Sequence, residues 1–282
     1  MRYFNFHTHT HYCDGSSAPE EYVEEAIRLG FETLGFSGHA PVSFPNNFAI
    51  KQEELQEYCD KISELKHKHQ ELNIYLALEA DYIPNISTDF SVLKEECGLD
   101  YVIGSVHLVS NPEKTGLWFI DGAKIETFDT GLRDLFDMDI KKAVTAYYHQ
   151  VNEMILTQLP DVIGHVDKIK MNNKNRYFTI DEKWYTDLVA ETLDIIKEKG
   201  GIVEVNTRGM YKKRSEDTFP GIDILKDLYK MNIPITISSD AHKPIELPLL
   251  FNETKEVLQR IGFKSLMVFD GKSWVEKSFS KN

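Results

Sequence analysis

Short apolar runs alternate with longer amphipathic segments along almost the whole chain. The first run, Tyr3-Phe4-Asn5-Phe6, is strand-like and leads into His7-Thr8-His9. Residues i and i+2 of a strand point to one face, so His7 and His9 can present two imidazoles to one ion from a single strand end. His11 continues the alternation, and Asp14 follows before Gly15. A helix is predicted next, with a Ser cap at Ser16-Ser17 and Pro19 in the first turn. Tyr22, Val23, Ala26, Ile27 and Leu29 recur at helical spacing up to Gly30.

The same alternation then repeats. A strand at 33–37 ends at Gly38-His39, a helix covers 53–68, and a strand at 74–78 ends at Glu79. A short helix begins at Phe90, and a strand at 101–106 ends at His107. Residues 108–140, punctuated by Gly116, Gly122 and Gly131, are expected to be a long irregular loop that carries specificity. A helix at 140–159 precedes a strand at 162–164 that ends at His165. After a loop rich in Asn and Lys, a helix at 181–199 is stopped by Gly200-Gly201. A strand at 202–206 leads to Thr207-Arg208-Gly209, and a helix at 222–231 follows. The strand at 233–238 ends at Ser239-Asp240-Ala241-His242, and a last helix at 249–261 precedes the apolar run 266–269 and an Asp270-Gly271 turn.

Strands that alternate with helices in this way form parallel βαβ units. No Gly-rich dinucleotide fingerprint follows any strand, so a closed barrel fits better than an open sheet. Functional loops of such a barrel lie at the strand C-termini. Six of the seven predicted strands end in a metal-type ligand, and the remaining one leads to Arg208. A polar strand end with satisfied histidines would explain one His-x-His, but not ligand-type residues confined to one rim.

Composition narrows the chemistry. The 282 residues are 41% hydrophobic and are taken as one domain over 1–282. No apolar run has bilayer length and no leader pattern opens the chain, so a cytoplasmic protein without membrane contact is expected. Lys plus Arg number 32 against 45 Asp plus Glu, a net charge of −13, which disfavours nucleic acid. A phosphorylated substrate must then be held by local positive charge, of which bound metals are the strongest source. Cys13, Cys59 and Cys97 form neither a disulfide framework nor a Cys-x-x-Cys site. Reduced thiols suit the cytoplasm, and Cys13 is read as loop filler rather than as a ligand. Oligomeric state is left open.

The candidate ligands are His7, His9, Asp14, His39, Glu79, His107, His165, Asp240 and His242. Nine N/O donors are too many for one tetrahedral site and suit two or three divalent ions that share carboxylates. Imidazole with carboxylate favours Zn, Fe or Mn over Ca or Mg.

These residues, as His7-x-His9, Gly38-His39, Glu79, Gly104-Ser-Val-His107, Gly164-His165 and Ser239-Asp240-Ala-His242, resemble the PHP (polymerase and histidinol phosphatase) superfamily in motif order. Within it, the Gly-Ser-Val-His stretch and the chain length are similar to the monofunctional histidinol-phosphate phosphatase branch. The resemblance implies a distorted (βα)7 TIM-like barrel with a trinuclear site at the strand C-termini. One ion would take His7, His9, Glu79 and Asp240. A second would take Asp14, His39 and His242, and a third His107 and His165, with Glu79 bridging. Many members carry His near Asp14, and His11 is the alternative ligand there.

The reaction implied is hydrolysis of L-histidinol phosphate to L-histidinol and phosphate. Hydroxide bridging two ions would attack phosphorus in line. Asp240, beside His242, or another rim acid would protonate the leaving alkoxide. Arg208 is the first candidate to clamp phosphate, because Arg binds it bidentately. Lys170 resembles a basic phosphate binder of this branch, with Lys168 competing. Ser105 is a further substrate-side candidate, although a role in the backbone turn competes for it. Acids of the 108–140 loop, Asp121 or Asp129, are candidates to face the substrate amine. The alternative is another small ester, a nucleotide, a sugar phosphate or phosphotyrosine, on the same metals. An amidohydrolase would expect a bridging Lys or Glu after the fourth strand, where this chain has His107. A metal-binding regulatory module without catalysis would be expected to have lost some ligands.

Overall fold

The computed structural model describes residues 3–279. In chain order the elements are β1 (Tyr3–Asn5), α1 (Pro19–Arg28), β2 (Phe31–His39), α2 (Leu55–Lys68), β3 (Asn73–Asp81), α3 (Phe90–Cys97) and β4 (Tyr101–Ser105). They continue with β5 (Leu108–Ser110), β6 (Leu117–Phe119), α4 (Ile125–Phe136), α5 (Ile140–Thr157), β7 (Val162–Ile163) and α6 (Lys170–Asn173). The last are α7 (Lys183–Lys199), β8 (Val203–Asn206), α8 (Arg208–Tyr211), α9 (Ile222–Lys230), β9 (Ile235–Ser238), α10 (Phe251–Ile261), β10 (Ser265–Phe269) and β11 (Trp274–Ser278).

Seven strands form one parallel sheet in the order β1-β2-β3-β4-β7-β8-β9. Thr8 and Ala241, just beyond β1 and β9, bridge in parallel, with His9 N–H donating to Ala241 O at 2.8 Å and Ala241 N–H to His7 O at 3.1 Å. These bonds close the barrel directly beneath the first two histidines. The fold is the closed barrel expected from the alternation, in the distorted (βα)7 form that the family resemblance implies. Its distortion is concentrated at β7, which pairs with β8 through the single partner pair Ile163↔Val203. Strands such as 74–78 read as continuous apolar runs because both of their faces are covered, one by the barrel interior and one by helices.

Two details depart from the sequence-based expectation. Neither serine caps α1. Ala18 precedes Pro19, and the Glu21 carboxylate reaches back to accept from Ala18 N at 3.1 Å. Ser16 is freed for another task, donating its hydroxyl to His242 O at 3.0 Å.

Residues 108–140 are not an irregular loop. They form the antiparallel β5–β6 hairpin and the helix α4. Trp118 is fully buried against Phe128 and Phe136, and its Nε1–H donates to Phe128 O at 2.9 Å. Gly131 marks that contact rather than a loop, because a Cβ there would lie 2.2 Å from Trp118 Cδ1. This unit carries Phe119 and Asp121 to the rim.

The segment after α10 forms a second hairpin, β10–β11. Its Phe269 and Trp274 pack on Tyr75 and Tyr101, at the N-terminal ends of β3 and β4. Among the described residues no helix is long and apolar enough to cross a membrane.

Candidate metal centre and phosphate cleft

The strand period of two places polar side chains inside the barrel at alternate positions near its C-terminal rim. Asn5, His7 and His9 continue β1, Glu79 and Asp81 end β3, Glu204 and Asn206 end β8, and Ser238 and Asp240 end β9. His39 and Glu79 are direct partners across β2 and β3, so the pairing register itself puts them side by side.

Glu79 lies at the centre of the cluster, and its two oxygens face different groups. Oε2 stands 3.1 Å from His7 Nε2, 3.4 Å from His9 Nε2 and 3.3 Å from His39 Nδ1. Oε1 stands 3.0 Å from His165 Nε2 and 3.6 Å from His107 Nε2, and accepts from Ser105 Oγ at 2.7 Å. Asp240 Oδ1 is 3.3 Å from His9 Nε2 and 3.9 Å from His7 Nε2. Asp14 Oδ1 is 3.1 Å from His242 Nε2 and 3.9 Å from His39 Nε2. Eight of the candidate donors fall into three overlapping groups whose ligand atoms lie within 4.8 Å of one another, His9, Asp14, His39 and His242, then His7, His9 and Asp240, then His39, Glu79 and His107, and His165 adjoins the last through Glu79 Oε1.

The donors fit divalent ions. His7 Nε2, His9 Nε2 and His39 Nδ1 are buried and lack a hydrogen-bond partner, although each lies beside Glu79. Orphaned buried polar atoms are costly, and an ion that accepts these lone pairs would satisfy them. Imidazole with carboxylate suits Zn, Fe or Mn. Burial and the neighbouring His242 and His39 drive His9 down to about 3, so this ring is neutral at pH 7 and its lone pair is available. Burial opposes ionisation of Glu79 and Asp240, but His7, His39 and His107 around Glu79, and His7 and Arg208 around Asp240, hold both far below the usual carboxylate range.

Zinc uptake by the metal-free protein should release protons and tighten as pH rises. Burial lowers the proton affinity of His7, but Glu204, Glu79 and Asp240 raise it well above the ordinary value. At His107 burial is outweighed by Asp81 and Glu79, which bring it up to about 10. A ligating nitrogen carries no proton. Competition from protons is therefore complete below those values and fades as pH climbs toward them. Proton release on zinc addition to weakly buffered protein checks this, and no release would mean that both rings are already neutral.

The other candidates separate clearly. Arg208 sits at the rim with Nη1 donating to Asp240 O at 2.9 Å and 3.7 Å from Glu246 Oε2. Lys170 is elsewhere: Asp167 Oδ2 holds its Nζ at 2.5 Å, and it lines a groove beside α7 and α9. The residue that points back to the cluster is Lys168, buried, with Nζ 3.2 Å from Asp121 Oδ2. The turn after His165 decides this, since a two-residue shift there reverses the facing side chain. Ser105 does not line the cleft, because its hydroxyl is spent on Glu79. Asp121 lines the cleft, 3.7 Å from His107 Nε2, whereas Asp129 is paired with Arg176 at 2.7 Å, outside it. His11 rests on the Tyr12 ring, whereas Asp14 Oδ1 lies 3.1 Å from His242 Nε2, so Asp14 is the residue in the cluster. Cys13 lies behind His9, with Sγ 3.5 Å from Nδ1, and burial and Asp14 push the thiol up to about 12, which leaves it protonated.

Above the cluster is a cleft of about 260 Å³ lined by Asn47, Phe48, Phe119, Asp121, Arg208 and Arg214. Phe48 and Phe119 stack with centroids 6.0 Å apart and planes at 14°. Sequence reasoning missed Arg214, Phe48 and Phe119, which no local pattern distinguishes. It also passed over Glu204 and Asp81, although each is a charged residue within an apolar strand run, the same signal that found Glu79.

A profile of the PHP domain family matches residues 5–208. A "Probable histidinol-phosphatase" of Deinococcus radiodurans is 27% identical over 264 residues, covering 92% of this chain and 94% of that protein. The histidinol-phosphatase of Bacillus subtilis is 27% identical over 253 residues, covering 84% and 92%. Among solved structures, histidinol phosphate phosphatase from Lactococcus lactis subsp. lactis, complexed with Zn, L-histidinol and phosphate, superposes with a TM-score of 0.67 at 22% identity, covering 96% of this chain and 98% of that one. At that identity the superposition speaks for the shared barrel.

Proposed function

The chain belongs to the PHP domain family, and on that premise we propose that it is a metal-dependent phosphatase that hydrolyses L-histidinol phosphate to L-histidinol and phosphate. The observation that carries this is the set of orphaned imidazole nitrogens gathered around Oε2 of Glu79, beneath a cleft that holds two arginines. Relatives named for this activity align over most of both chains, which supports the substrate.

His7, His9, Glu79 and Asp240 would hold one ion, Asp14, His39 and His242 a second, and His107 and His165, with Glu79 shared, a third. Bound there, the ions supply Lewis-acid activation of water and neutralise charge on the phosphoryl group. The chain's own residues do the rest. Arg208 is anchored through one guanidinium nitrogen by the Asp240 carbonyl, which leaves the fork aimed at the cleft. Lys168, buried beside Asp121, takes the place expected of Lys170 as the second cation for phosphate. Phe48 and Phe119 offer an apolar wall to the imidazole, and Asp121, whose Oδ1 has no partner, offers an acceptor to a substrate donor. Asp240 holds no proton at neutral pH, so it is not the acid that protonates the leaving alkoxide, and its part is that of a charged ligand. Free Cys13, Cys59 and Cys97 support a reducing compartment, the cytoplasm.

Phosphate release from L-histidinol phosphate, a nucleotide, a sugar phosphate and an aryl phosphate tests the substrate. A preference of several powers of ten for L-histidinol phosphate is expected, and equal weak rates on all four would discard it. Arg208→Ala should mainly raise KM for the phosphate ester, by about 10- to 100-fold for the loss of a charge-assisted bidentate contact. Unchanged KM and kcat would remove Arg208 from the site.

A further inference from the structure

The sixth barrel strand, β8, supplies no side chain to the three ligand sets, yet it places a fully buried carboxylate directly beneath them. Glu204 Oε1 accepts from His7 Nδ1 at 2.5 Å and from the Ser238 hydroxyl. Its Oε2 accepts from the backbone N–H of His165 at 3.0 Å and from Asn206 Nδ2 at 3.2 Å. Asn206 Nδ2 also reaches Asp240 Oδ2, at 3.1 Å. A buried carboxylate is tolerated only when its lone pairs are satisfied, and here four donors from four parts of the chain satisfy it.

We propose that Glu204 is a positioning residue that couples two of the metal sites: it fixes His7 as the Nδ1–H tautomer and ties His7 and His165 to one carboxylate, so that the His7 set and the His165 set are built together. The proposal rests on the metal-dependent reading above. Three observations support the assignment. First, the His7 nitrogen opposite Glu204 is the orphaned Nε2 beside Glu79 and Asp240, so a hydrogen bond at Nδ1 leaves the lone pair on the ligand side. Second, Asp81 makes the corresponding contact to His107, accepting from its Nδ1 at 3.0 Å and its backbone N–H at 2.8 Å, but serves that one ligand alone. His242 Nδ1 is likewise held locally, 3.0 Å from Asp240 O. Third, β8 lies between β7, which leads to His165, and β9, whose Ser238 donates to the same carboxylate, so Glu204 reaches His165 on one side and, past β9, His7 at the end of β1 on the other. His165 Nδ1 has no partner of its own, so Glu79 at Nε2 and Glu204 at the backbone N–H are the two carboxylates that hold that residue.

Glu204→Gln is nearly isosteric but places an NH2 where two donors, the His7 ring and the His165 backbone, each need an acceptor. One of the two contacts must break. Competition titration with a chromophoric zinc chelator, with zinc content measured in parallel, reads the outcome. Loss of a carboxylate behind a ligating histidine typically weakens metal binding by about 10- to 100-fold. That weakening is expected for the zinc ions of the His7 and His165 sets together, with the ion of the Asp14, His39 and His242 set retained. Ser238→Ala removes another donor to the same oxygen without touching either ligand, so it should bind zinc as wild type does; equal losses in both variants would indicate general loosening of the barrel and overturn the assignment. Wild-type zinc affinity and stoichiometry in E204Q would overturn it as well. Should E204Q fail to fold, ¹⁵N spectra of the imidazoles of the zinc-loaded wild-type protein decide: His7 protonated at Nδ1 and ligating through Nε2 is expected, and the reverse tautomer refutes the proposal. Wild-type protein that takes up no zinc would refute the metal reading itself, a result distinct from all of these.

Discussion

Asp240→Asn should lower kcat for phosphate release by about 10³-fold or more, because metal stabilisation of a phosphoryl transition state is worth several kcal/mol and each 1.36 kcal/mol is tenfold. The substitution isolates chemistry from folding. Asp240 has φ of 51°, in the left-handed region where Asp and Asn are tolerated far better than other side chains. Asn keeps that backbone and an oxygen facing Asn206, but removes the charge that stands 3.3 Å from His9 Nε2. Zinc content and kcat should fall together while circular dichroism stays unchanged. His9→Ala should do the same from the other side of the contact. Near-normal turnover in either, at full expression and normal fold, would remove these residues from the metal centre.

The second large effect is on stability. A Cβ at Gly35 in β2 would lie 1.8 Å from Tyr101 Oη and 3.2 Å from Phe6 Cα. Tyr101 is fully buried, donates to Phe6 O at 2.5 Å, and is boxed in by Phe6, Phe269 and Trp274, so it has nowhere to move. Gly35→Ala must break that hydrogen bond and repack the barrel floor, a loss of about 3 kcal/mol or more from overpacking and an unsatisfied carbonyl. For a chain of this size that corresponds to a fall in Tm of roughly 5–10 °C. Removing the hydroxyl relieves the clash, so Gly35→Ala should cost less in a Tyr101→Phe background than in wild type. That coupling, read from a double-mutant cycle, separates this contact from any general intolerance of β2. Additive losses would place the strain elsewhere.

The two effects fall at opposite ends of the barrel. Residues at the strand C-termini are held in place by hydrogen bonds and charge, whereas the floor is held by aromatic packing against the β10–β11 hairpin. A loss at the rim should therefore appear in turnover and zinc content, and a loss at the floor in Tm.

Much of the centre was legible in the sequence because strand geometry is local. Each candidate ligand follows an apolar run, and a period of two decides which side chains face inward. His7, His9, His39, Glu79, His107, His165, Asp240 and His242 could be found in this way without knowing which strands are neighbours. The (βα)7 alternation was legible for the same reason. What the pattern could not carry was anything set by contacts distant in the chain. Residues 108–140 read as loop because Gly116, Gly122, Gly131 and several acids interrupt the pattern, when Gly131 is there to seat Trp118. Lys168 rather than Lys170 faces the cluster because of one turn after His165, and a turn has no period from which to read a facing side. Glu204 shows the division most plainly. Its presence in an apolar strand was visible, but its partners come from His7, His165, Asn206 and Ser238, and only barrel closure brings those within one carboxylate's reach. Local repetition therefore determined which residues could bind metal, and closure of the sheet decided how they are held, because hydrogen bonds across the barrel link positions that sequence separation keeps far apart.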